Sequence, residues 1–256
     1  MKRATLLVAL LVVALVPSLL RACERFANYD VVRPGTRFDG VYPHGTFCLK
    51  ERTARKLVRM LEATVHALDT IDVPYFLGAG SLLGWARHQG GIIPFDDDID
   101  LYLFPITSKQ LARLGTLLPS DMRLIFFQGW WKVISTTIAF TDRLSISIDL
   151  FEVEDVRGRV QLKDPVALGK WPKETYPREM VLPLQRATFC GVSVHVPHDP
   201  DTMLRMQYGD DCMEVGYINN VHGVAAYLAS HLCVQKKPAK KIAMTAARCV
   251  PLLHTT

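Results

Sequence analysis

The spacing of apolar residues predicts a long helix, then a short strand and a second helix. In LKERTARKLVRMLEATVHALDT, residues 49–70, apolar side chains recur three or four positions apart and fall on one helical face. The following VPYFLGAGSLLGWARHQGG predicts a strand at 75–77, a glycine-rich turn, and a helix from about Ser81 to His88 that ends at Gly90. The apolar positions of the first helix are Leu57, Val58, Leu61, Val65 and Leu68.

An alternation of side-chain character predicts a strand from Asp98 to Phe104. In IPFDDDIDLYLF, four aspartates fill five positions, and apolar residues follow at once. On a strand, the side chains of Asp98 and Asp100 share one face, and the aliphatic residues between and after them face the other way. Asp96 has the same parity, whereas Asp97 has the opposite one.

Later segments predict further strands and helices. The stretch LSISIDLFEVEDVRGRVQL alternates Ser147 and Asp149 with aliphatic residues and predicts a half-buried strand that turns at Gly158. In DPDTMLRMQYGDD we expect a helix capped by Asp199 or Asp201. The other predicted elements are a helix over 107–118, two strands around Gly129 within 122–140, and a strand pair within 178–198.

The aspartates indicate a metal site. Like charges at this spacing destabilise a fold unless water or a cation neutralises them, and the apolar residues that follow limit access to water. Carboxylates two residues apart on a strand are roughly 6 to 7 Å apart at their Cα atoms and can close on a hard divalent ion. An all-oxygen set suits Mg²⁺ or Mn²⁺. The candidate ligands are Asp96, Asp98, Asp100 and, from the later strand, Asp149.

The acidic run has other interpretations. A solvated acidic turn is the ordinary explanation of such a run, and Asp149 taken alone is more simply a polar-face residue in water. A calcium loop of the EF-hand type counted from Asp96 requires Gly and Glu where Leu101 and Thr107 stand, so it is excluded. A DDxxD prenyl-diphosphate site requires a large helical core, which the predicted strands oppose. Asp149 joins the metal site only if its strand is a sheet neighbour of the first.

The stretch GAGSLLG predicts an anion site. A turn with exposed backbone N–H groups at a helix N-terminus, capped by Ser81, binds phosphate oxygens readily. The turn lacks the P-loop lysine and the G-x-G-x-x-G spacing, so it is a weak signal alone. Together with the acids that follow, it indicates a site where N–H groups and Arg87 hold phosphate oxygens that a metal bridges.

Composition and charge restrict the class of protein. At 256 residues and 49% hydrophobic, the chain can bury one substantial core. Its net charge of +5 comes from residues 234–256, which carry five basic residues and no acidic one. We therefore interpret 234–256 as a basic tail and do not expect nucleic-acid binding. The six cysteines form no C-x-x-C pair, so no zinc site is predicted and disulfide pairing stays open.

The N-terminus has the pattern of a membrane anchor. Lys2 and Arg3 precede an uncharged apolar run from Ala4 to Leu20, interrupted only by Pro17 and Ser18. This length is at the short limit of a bilayer span, and no good signal-cleavage site follows. With the positive residues first, we expect an uncleaved signal-anchor over 1–22 with the rest of the chain in the lumen. Residues 23–48 are interpreted as a stem.

Four motifs in order resemble the LicD/fukutin family. The stretch FLGAGSLLGWARHQGGIIPFDDDIDLYL is similar to the family signature G-[ST]-L-L-G-x-x-R followed by I-P-W-D-x-D-x-D. IDLF around Asp149, FCGVSVHVP and LRMQYGDD resemble later family motifs. Phe95 stands where the family usually has Trp, and a cysteine zinc loop present in one branch has no counterpart. The resemblance covers about residues 70–212.

The resemblance implies a fold, an activity and residue roles. It implies a nucleotidyltransferase-like α/β (α+β) domain over 49–233, a mixed sheet with flanking helices. The activity implied is transfer of a phospho-alcohol, of the ribitol phosphate, glycerol phosphate or phosphocholine type, from a CDP-activated donor to a glycan hydroxyl. Asp98, Asp100 and Asp149 would be catalytic, the last as metal ligand or as base. Implied donor-binding residues are Gly80, Ser81, Gly84 and Arg87, and implied metal ligands are Asp96, Asp98, Asp100 and Asp149.

Two other functions stay open at this point, a D-x-D-type glycosyltransferase that uses a nucleotide sugar and an inactive glycan-binding protein. Intact Asp98, Asp100 and Asp149 oppose the second. Trp130, Trp131, Lys132, Trp171 and Tyr208 are candidates for lining the pocket of the base or of the acceptor, although packing is the simpler role for each. We expect a single-pass type II protein of the Golgi or endoplasmic reticulum membrane, with a homo-oligomer left open.

Overall fold

A mixed sheet with helices forms the core of the protein. The computed structural model describes residues 28–36, 42, 46–138, 146–218 and 240–243. The helices within these ranges are α1 (Glu51–Thr70), α2 (Ala79–Arg87), α3 (Ser108–Leu117), α4 (Pro165–Lys170), α5 (Arg178–Val181) and α6 (Pro200–Tyr208). The strands are β1 (Tyr29–Val31), β2 (Phe47–Leu49), β3 (Tyr75–Leu77), β4 (Asp98–Leu103), β5 (Met122–Phe127), β6 (Trp130–Ser135), β7 (Ser147–Val156), β8 (Arg159–Leu162), β9 (Thr175–Pro177), β10 (Gln185–Phe189), β11 (Val192–Val196), β12 (Val215–Ile218) and β13 (Lys240–Ala243).

The main sheet has seven strands and places the two acidic strands side by side. Its order is β3-β4-β7-β6-β5, and β8 and β9 continue from the second half of β7. Strand β4 runs parallel to β7, while β3 on one side and β6 on the other pair antiparallel. The predicted α/β fold with a mixed sheet and flanking helices is therefore confirmed. The two acidic strands are therefore sheet neighbours, and Asp100 and Asp149 are register partners in the parallel pair.

One face of this sheet is covered by α1. The apolar stripe of α1 includes Leu57, Leu61 and Leu68, all fully buried against aliphatic residues of the sheet such as Ile99 and Leu150. Each leucine buried in this way stabilises the fold by roughly 2 kcal/mol. The helix predicted over 49–70 is confirmed, with its first turn at Glu51.

The opposite face of the sheet combines aromatic and charged side chains. Phe76, Tyr102, Trp130 and Phe151 form a second buried cluster on this face. The alternation predicted for β4 is confirmed, since Ile99 belongs to the aliphatic core and Tyr102 to the aromatic cluster. The acidic side chains of β4 therefore share a face with the aromatic residues.

The strand β7 differs from its prediction as a half-buried strand. Ser147 and Asp149, expected on a polar face, are buried like their aliphatic neighbours. The reason is that β7 lies between β4 and β6, and loop 170–174 with α6 covers the face that would otherwise be open. The alternation assigned the two faces correctly, but both are inside the protein.

The short N-terminal strands β1 and β2 pair with each other and contact the acidic loop. The Leu49 N–H donates to the Pro94 carbonyl at 2.9 Å, which ties this strand pair to the segment before β4. Part of the segment interpreted as a stem is therefore packed on the core. The expected anchor at 1–22 lies outside the described residues. Among the helices that are described, none has the length and apolar character needed to cross a bilayer.

Candidate functional site

The glycine-rich turn and the acidic strand meet in space. Gly80, in the first turn of α2, lies so close to the acidic segment that a Cβ there would be 2.6 Å from the Asp96 Oδ2. One residue further, the buried Ser81 hydroxyl accepts a hydrogen bond from the Asp100 N–H at 2.8 Å. The turn predicted to bind phosphate therefore adjoins the acids predicted to bind metal.

Ser81 does not cap the helix, which corrects one prediction. The helix begins at Ala79, two residues before the predicted start, and its N-cap is Gly78, which offers no side-chain cap. The Ser81 hydroxyl instead spans to β4, because a buried strand N–H at the end of the antiparallel β3–β4 pair needs an acceptor. The residue remains at the site but with a different contact.

The carboxylates of both acidic strands converge. Carboxylate oxygens of Asp98, Asp100 and Asp149 all lie within 4.8 Å of one another, and a second such group consists of Asp96, Asp97 and Asp98. The two groups share Asp98. Every predicted metal ligand thus belongs to one continuous acidic cluster, and Asp97 joins it although its parity had separated it from the others.

The electrostatics of the cluster favour a bound cation. Burial and the charge of Asp97 raise the pKa of Asp96 to about 7. Burial raises the pKa of the Asp98 carboxyl well above its usual value, and the charge of Asp100 adds to the rise. The pKa of Asp100 is raised in the same way by burial and by Asp149. Partly buried carboxylates that repel one another are relieved by a divalent ion.

Asp149 is the most heavily hydrogen-bonded of these acids. Lys132 donates to both of its carboxylate oxygens, at 2.6 and 2.5 Å. The Trp130 indole N–H donates to Oδ2 at 2.7 Å, and the Ser147 hydroxyl donates to Oδ1 at 2.6 Å. Burial raises the pKa of the Asp149 carboxyl, and Lys132 acts in the opposite direction. Trp130 and Lys132 were considered above as pocket residues. In the structure they donate hydrogen bonds to an acid of the cluster instead.

Arg87 and Gly84 lie on the inner side of α2. The Arg87 Nη1 donates to the backbone carbonyls of Cys212 at 2.8 Å and Val215 at 3.3 Å, so the side chain ties α2 to the segment after α6. A Cβ at Gly84 would lie 2.8 Å from the Gly91 carbonyl oxygen, so glycine allows the loop to pack closely there. In this structure both residues allow α2 to pack against its neighbours.

Tyr29 contacts the acidic cluster and was not predicted. Its hydroxyl donates to the Asp97 Oδ2 at 2.7 Å, and both side chains are buried. The Asp97 side chain therefore faces the N-terminal strands, in a different direction from the side chains of its neighbours. No local pattern around Tyr29 signals this contact, because the two residues are 68 positions apart.

A cavity of about 470 Å³ opens directly above two of the acids. Asp98 and Asp100 line it, whereas Asp149, Trp130 and Lys132 are not among its lining residues. Trp171 and Tyr208, two of the candidates for a pocket, line it, although packing was the simpler role for each. Trp131 lies on the other face of the sheet, where it packs edge-on against Phe126.

The far wall of the cavity contains a buried acid that sequence reasoning missed. Glu174 accepts a hydrogen bond from the Tyr176 hydroxyl at 2.7 Å and another from the Gln207 amide. Burial raises the pKa of this carboxyl. Glu174 follows the Trp-Pro-Lys stretch at 171–173, where no periodicity indicated a structural position. The wall thus offers hydrogen-bond acceptors beside the rings of Trp171 and Tyr208.

The ligand atoms of the acidic cluster fit a hard divalent cation. Its ligand atoms are all carboxylate oxygens, within one ion's reach of one another, and no histidine or cysteine belongs to either group of ligands found among the described residues. Oxygen-only sets suit Mg²⁺ or Mn²⁺ rather than Zn²⁺. The acidic cluster can therefore hold such an ion between the glycine-rich turn and the cavity.

The comparison with known families agrees with this site. Residues 72–199, half of the chain, match the domain described as "LicD/FKTN/FKRP, nucleotidyltransferase domain". The chain belongs to the LicD/FKTN/FKRP family. The matched residues of this LicD/FKTN/FKRP domain include the glycine-rich turn, the acidic strand β4 and Asp149.

Individual relatives are distant. The chain is 27% identical over 157 residues to "Uncharacterized protein RP689" of Rickettsia prowazekii, covering 61% of this chain and 55% of that protein. It is 30% identical over 174 residues to "Ribitol 5-phosphate transferase FKRP" of Mus musculus, covering 65% of this chain and 33% of that protein. The chain therefore spans about half of the first relative and about a third of the second.

Among solved structures, a crystal structure of ANT(2")-Ia in complex with adenylyl-2"-tobramycin aligns with a TM-score of 0.36 and 12% identity. The alignment covers 56% of this chain and 69% of that one. A likeness at this level does not establish a shared fold.

Proposed function

We propose that the protein is a metal-dependent phosphotransferase that moves a phospho-alcohol from a CDP-activated donor to a glycan hydroxyl and releases CMP. The observation that carries this proposal is the convergence of Asp98, Asp100 and Asp149 within 4.8 Å beside the Gly80–Ser81 turn. A turn for phosphate next to carboxylates for a cation is the pair of features that phosphoryl transfer requires. Membership of the LicD/FKTN/FKRP family supports the same reaction class.

The proposed metal ligands are Asp96, Asp98, Asp100 and Asp149. A bound Mg²⁺ or Mn²⁺ supplies charge neutralisation for the diphosphate oxygens and for the leaving CMP. Asp98 and Asp100 line the cavity and would meet the donor there, whereas Asp149 lies behind them. By its position Asp149 is open to two roles, as a ligand of the ion or as the acceptor of the hydroxyl proton.

The glycine-rich turn is the proposed site of the donor diphosphate. Gly80 has no side chain to separate the backbone of α2 from the acids, so phosphate oxygens could contact the turn and the cluster together. Ser81 fixes the turn to β4 through Asp100. Gly84 and Arg87 are proposed to support the donor site from behind, by holding α2 against its neighbours.

The reaction proposed at this site balances in one displacement. An acceptor hydroxyl oxygen forms a new bond to the phosphorus that carries the alcohol, and the bond from that phosphorus to the CMP oxygen breaks. The acceptor loses one proton, and CMP leaves with the bridging oxygen. Positioning and charge neutralisation are the main contributions of a protein to such a transfer.

Ribitol phosphate is the proposed group for transfer, because the relative from Mus musculus is a ribitol 5-phosphate transferase by its name. The cavity wall is consistent with a polyol, since Glu174 and Gln207 offer hydrogen-bonding groups beside aromatic rings. Glycerol phosphate and phosphocholine are the alternatives to test. The apolar run from Ala4 to Leu20 leads us to propose a single-pass type II protein with a luminal catalytic domain in the Golgi or endoplasmic reticulum.

The proposal is tested by CMP release from the full-length protein. CDP-ribitol, CDP-glycerol and CDP-choline are offered separately, with Mn²⁺, with Mg²⁺ or with EDTA, and with and without glycan acceptors. We expect CMP release that requires the metal and is fastest with CDP-ribitol. Absence of CMP from all three donors under every metal condition would contradict the proposed function.

A further inference from the structure

The buried Lys132 is the most unusual charged group near the site. Its side chain is 5% exposed, and its ammonium contacts both oxygens of Asp149 and, at 3.1 Å, the Ser147 hydroxyl. An ammonium ion is costly to bury unless it is paired and hydrogen-bonded, and here it is both. Strand register explains the pairing, because Lys132 on β6 lies directly opposite Asp149 on β7.

The donors around Asp149 occupy its whole carboxylate. A carboxylate has about four acceptor positions, two on each oxygen. Lys132 and Ser147 reach Oδ1, and Lys132 and Trp130 reach Oδ2. A metal ion or a hydroxyl that approaches Asp149 must therefore displace one of these donors.

The other two carboxylates of the trio are placed differently. Asp98 and Asp100 line the cavity, whereas Asp149 lies behind them with only 3% of its surface exposed. Lys132 thus neutralises the innermost acid, whereas none of the ion pairs between described residues involves Asp98 or Asp100. Without Asp149, the proposed ligands that remain are Asp96, Asp98 and Asp100. A divalent ion usually completes such a shell with water or substrate phosphates.

We infer that Lys132 is a positioning residue that withholds Asp149 from metal and from proton transfer in the donor-free protein, so that a divalent ion binds firmly only together with a nucleoside diphosphate. The claim that a nucleoside diphosphate strengthens metal binding rests on the proposed function. The claim that Lys132 competes with a cation for Asp149 does not, because it follows from the contacts alone. Either role of Asp149, as ligand or as base, therefore requires that a donor such as Lys132 first leaves the carboxylate.

Metal binding without turnover tests the inference. Free Mn²⁺ is measured by electron paramagnetic resonance during titration of the full-length protein at pH 8, with and without CDP, and a protein-free titration corrects for CDP–Mn²⁺. The wild type is expected to bind Mn²⁺ at least tenfold more tightly with CDP. Lys132→Met removes the charge and frees one acceptor position on each Asp149 oxygen. This variant is expected to bind Mn²⁺ at least tenfold more tightly than the wild type without CDP.

A matched control is available directly after the neighbouring strand β8. Lys163 pairs with Glu152 of β7 at 2.7 Å but is 48% exposed, and Lys163→Met removes the same charge outside the cluster. We expect its Mn²⁺ affinity to equal that of the wild type. Thermal unfolding of each variant shows whether it is folded. If Lys132→Met fails to fold, Lys132→Gln keeps a donor for Asp149 without the charge and gives the same comparison.

The outcomes separate the two claims. Mn²⁺ affinity of the wild type that is unchanged by CDP, or a Lys132 variant that binds Mn²⁺ no more tightly than the wild type, overturns the inference. Absence of CMP release from any CDP donor overturns the proposed function and leaves the CDP-free comparison of Lys132 with Lys163 to decide the lysine's role. If neither Lys132 variant folds, the wild-type titration with and without CDP decides the inference.

Discussion

The Ser81 hydroxyl accepts a hydrogen bond of 2.8 Å from the backbone N–H of Asp100, 19 residues further along the chain. Both residues are buried. This contact fixes the first turn of α2 to the strand that carries the acids, together with the hydrogen bond that the Gly78 N–H donates to the Asp100 carbonyl at 3.1 Å. A change at Ser81 is therefore expected to affect stability and activity together.

Replacement of Ser81 by alanine tests that relationship. Ser81→Ala leaves the Asp100 N–H buried without its acceptor, which costs about 1 to 3 kcal/mol of unfolding free energy. Urea denaturation of the full-length protein measures the loss. Ser193→Ala is the control, because the Ser193 hydroxyl accepts an exposed hydrogen bond from Arg186 at 3.1 Å. Equal stability of the two variants would contradict a structural role for the Ser81 contact.

A divalent ion is expected to stabilise the protein through its carboxylates. At a concentration roughly 100 times the Kd, Mn²⁺ should raise the unfolding temperature by about 5 to 10 °C. The double variant Asp98→Asn, Asp100→Asn should lose this response. It should also unfold at a higher temperature than the wild type in EDTA, because two repelling charges are gone. Differential scanning calorimetry measures both effects.

An Mn²⁺ response that persists in the double variant would place the ion elsewhere. A double variant less stable than the wild type in EDTA would show that the hydrogen bonds of these two carboxylates stabilise the metal-free protein more than their mutual repulsion destabilises it.

Trp130 is expected to contribute to catalysis through its indole N–H. Trp130→Phe keeps a ring for stacking on Phe151 but removes the donor to Asp149. A hydrogen bond to a charged group contributes about 1.5 to 3 kcal/mol, so the rate of CMP release should fall roughly 10-fold to 100-fold. Trp131→Phe is the matched control, since this neighbour faces the other side of the sheet. Equal rates for the two variants would show that the Trp130 hydrogen bond has no part in catalysis.

His88 is expected to make the fold sensitive to acid. Burial, assisted by the charge of Arg87, lowers the pKa of His88 from its ordinary 6.5 to about 4. Because the folded-state pKa is the lower one, the unfolded chain binds the proton first as pH falls. The contribution of neutral His88 to stability is therefore complete above about pH 6.5 and is lost as pH falls toward 4.

Thermal unfolding between pH 7.5 and 4.5 measures this effect as the difference between the wild type and His88→Gln. The wild type should lose more stability over this interval than the variant. Parallel pH profiles would mean that the pKa of His88 is the same in the folded and the unfolded protein, and would contradict the lowered value.

Side-chain periodicity was sufficient for much of the fold and for the acids. Spacing predicted α1, and alternation predicted β4 and the side of the sheet on which Asp98 and Asp100 lie. Asp149 could be proposed as a partner because it lies on the polar face of a second predicted strand, but only the parallel β4–β7 pairing brings it beside Asp100. Strand order is a tertiary property that no local pattern encodes.

The remaining parts of the site depend on long-range contacts. Lys132 was noted as a pocket residue, but its pairing with Asp149 requires the β6–β7 register. The Tyr29 contact with Asp97 spans 68 residues, and Glu174 lies in an irregular loop. The prediction that Ser81 caps its helix was wrong. A helix-cap rule considers only the local backbone, whereas the donor that Ser81 accepts from is the Asp100 N–H on strand β4.

The most direct test of the central claim is the rate of CMP release from CDP-ribitol with Mn²⁺ by the wild type and by Asp98→Asn, Asp100→Asn. The matched control is Asp121→Asn, Asp155→Asn, which removes two carboxylates from exposed ion pairs with Arg59 and Arg178. We predict that the wild type and the control release CMP at similar rates, and that the site variant is slower by roughly 1,000-fold or more. Release by the site variant at the rate of the wild type would contradict a catalytic role for the acidic cluster.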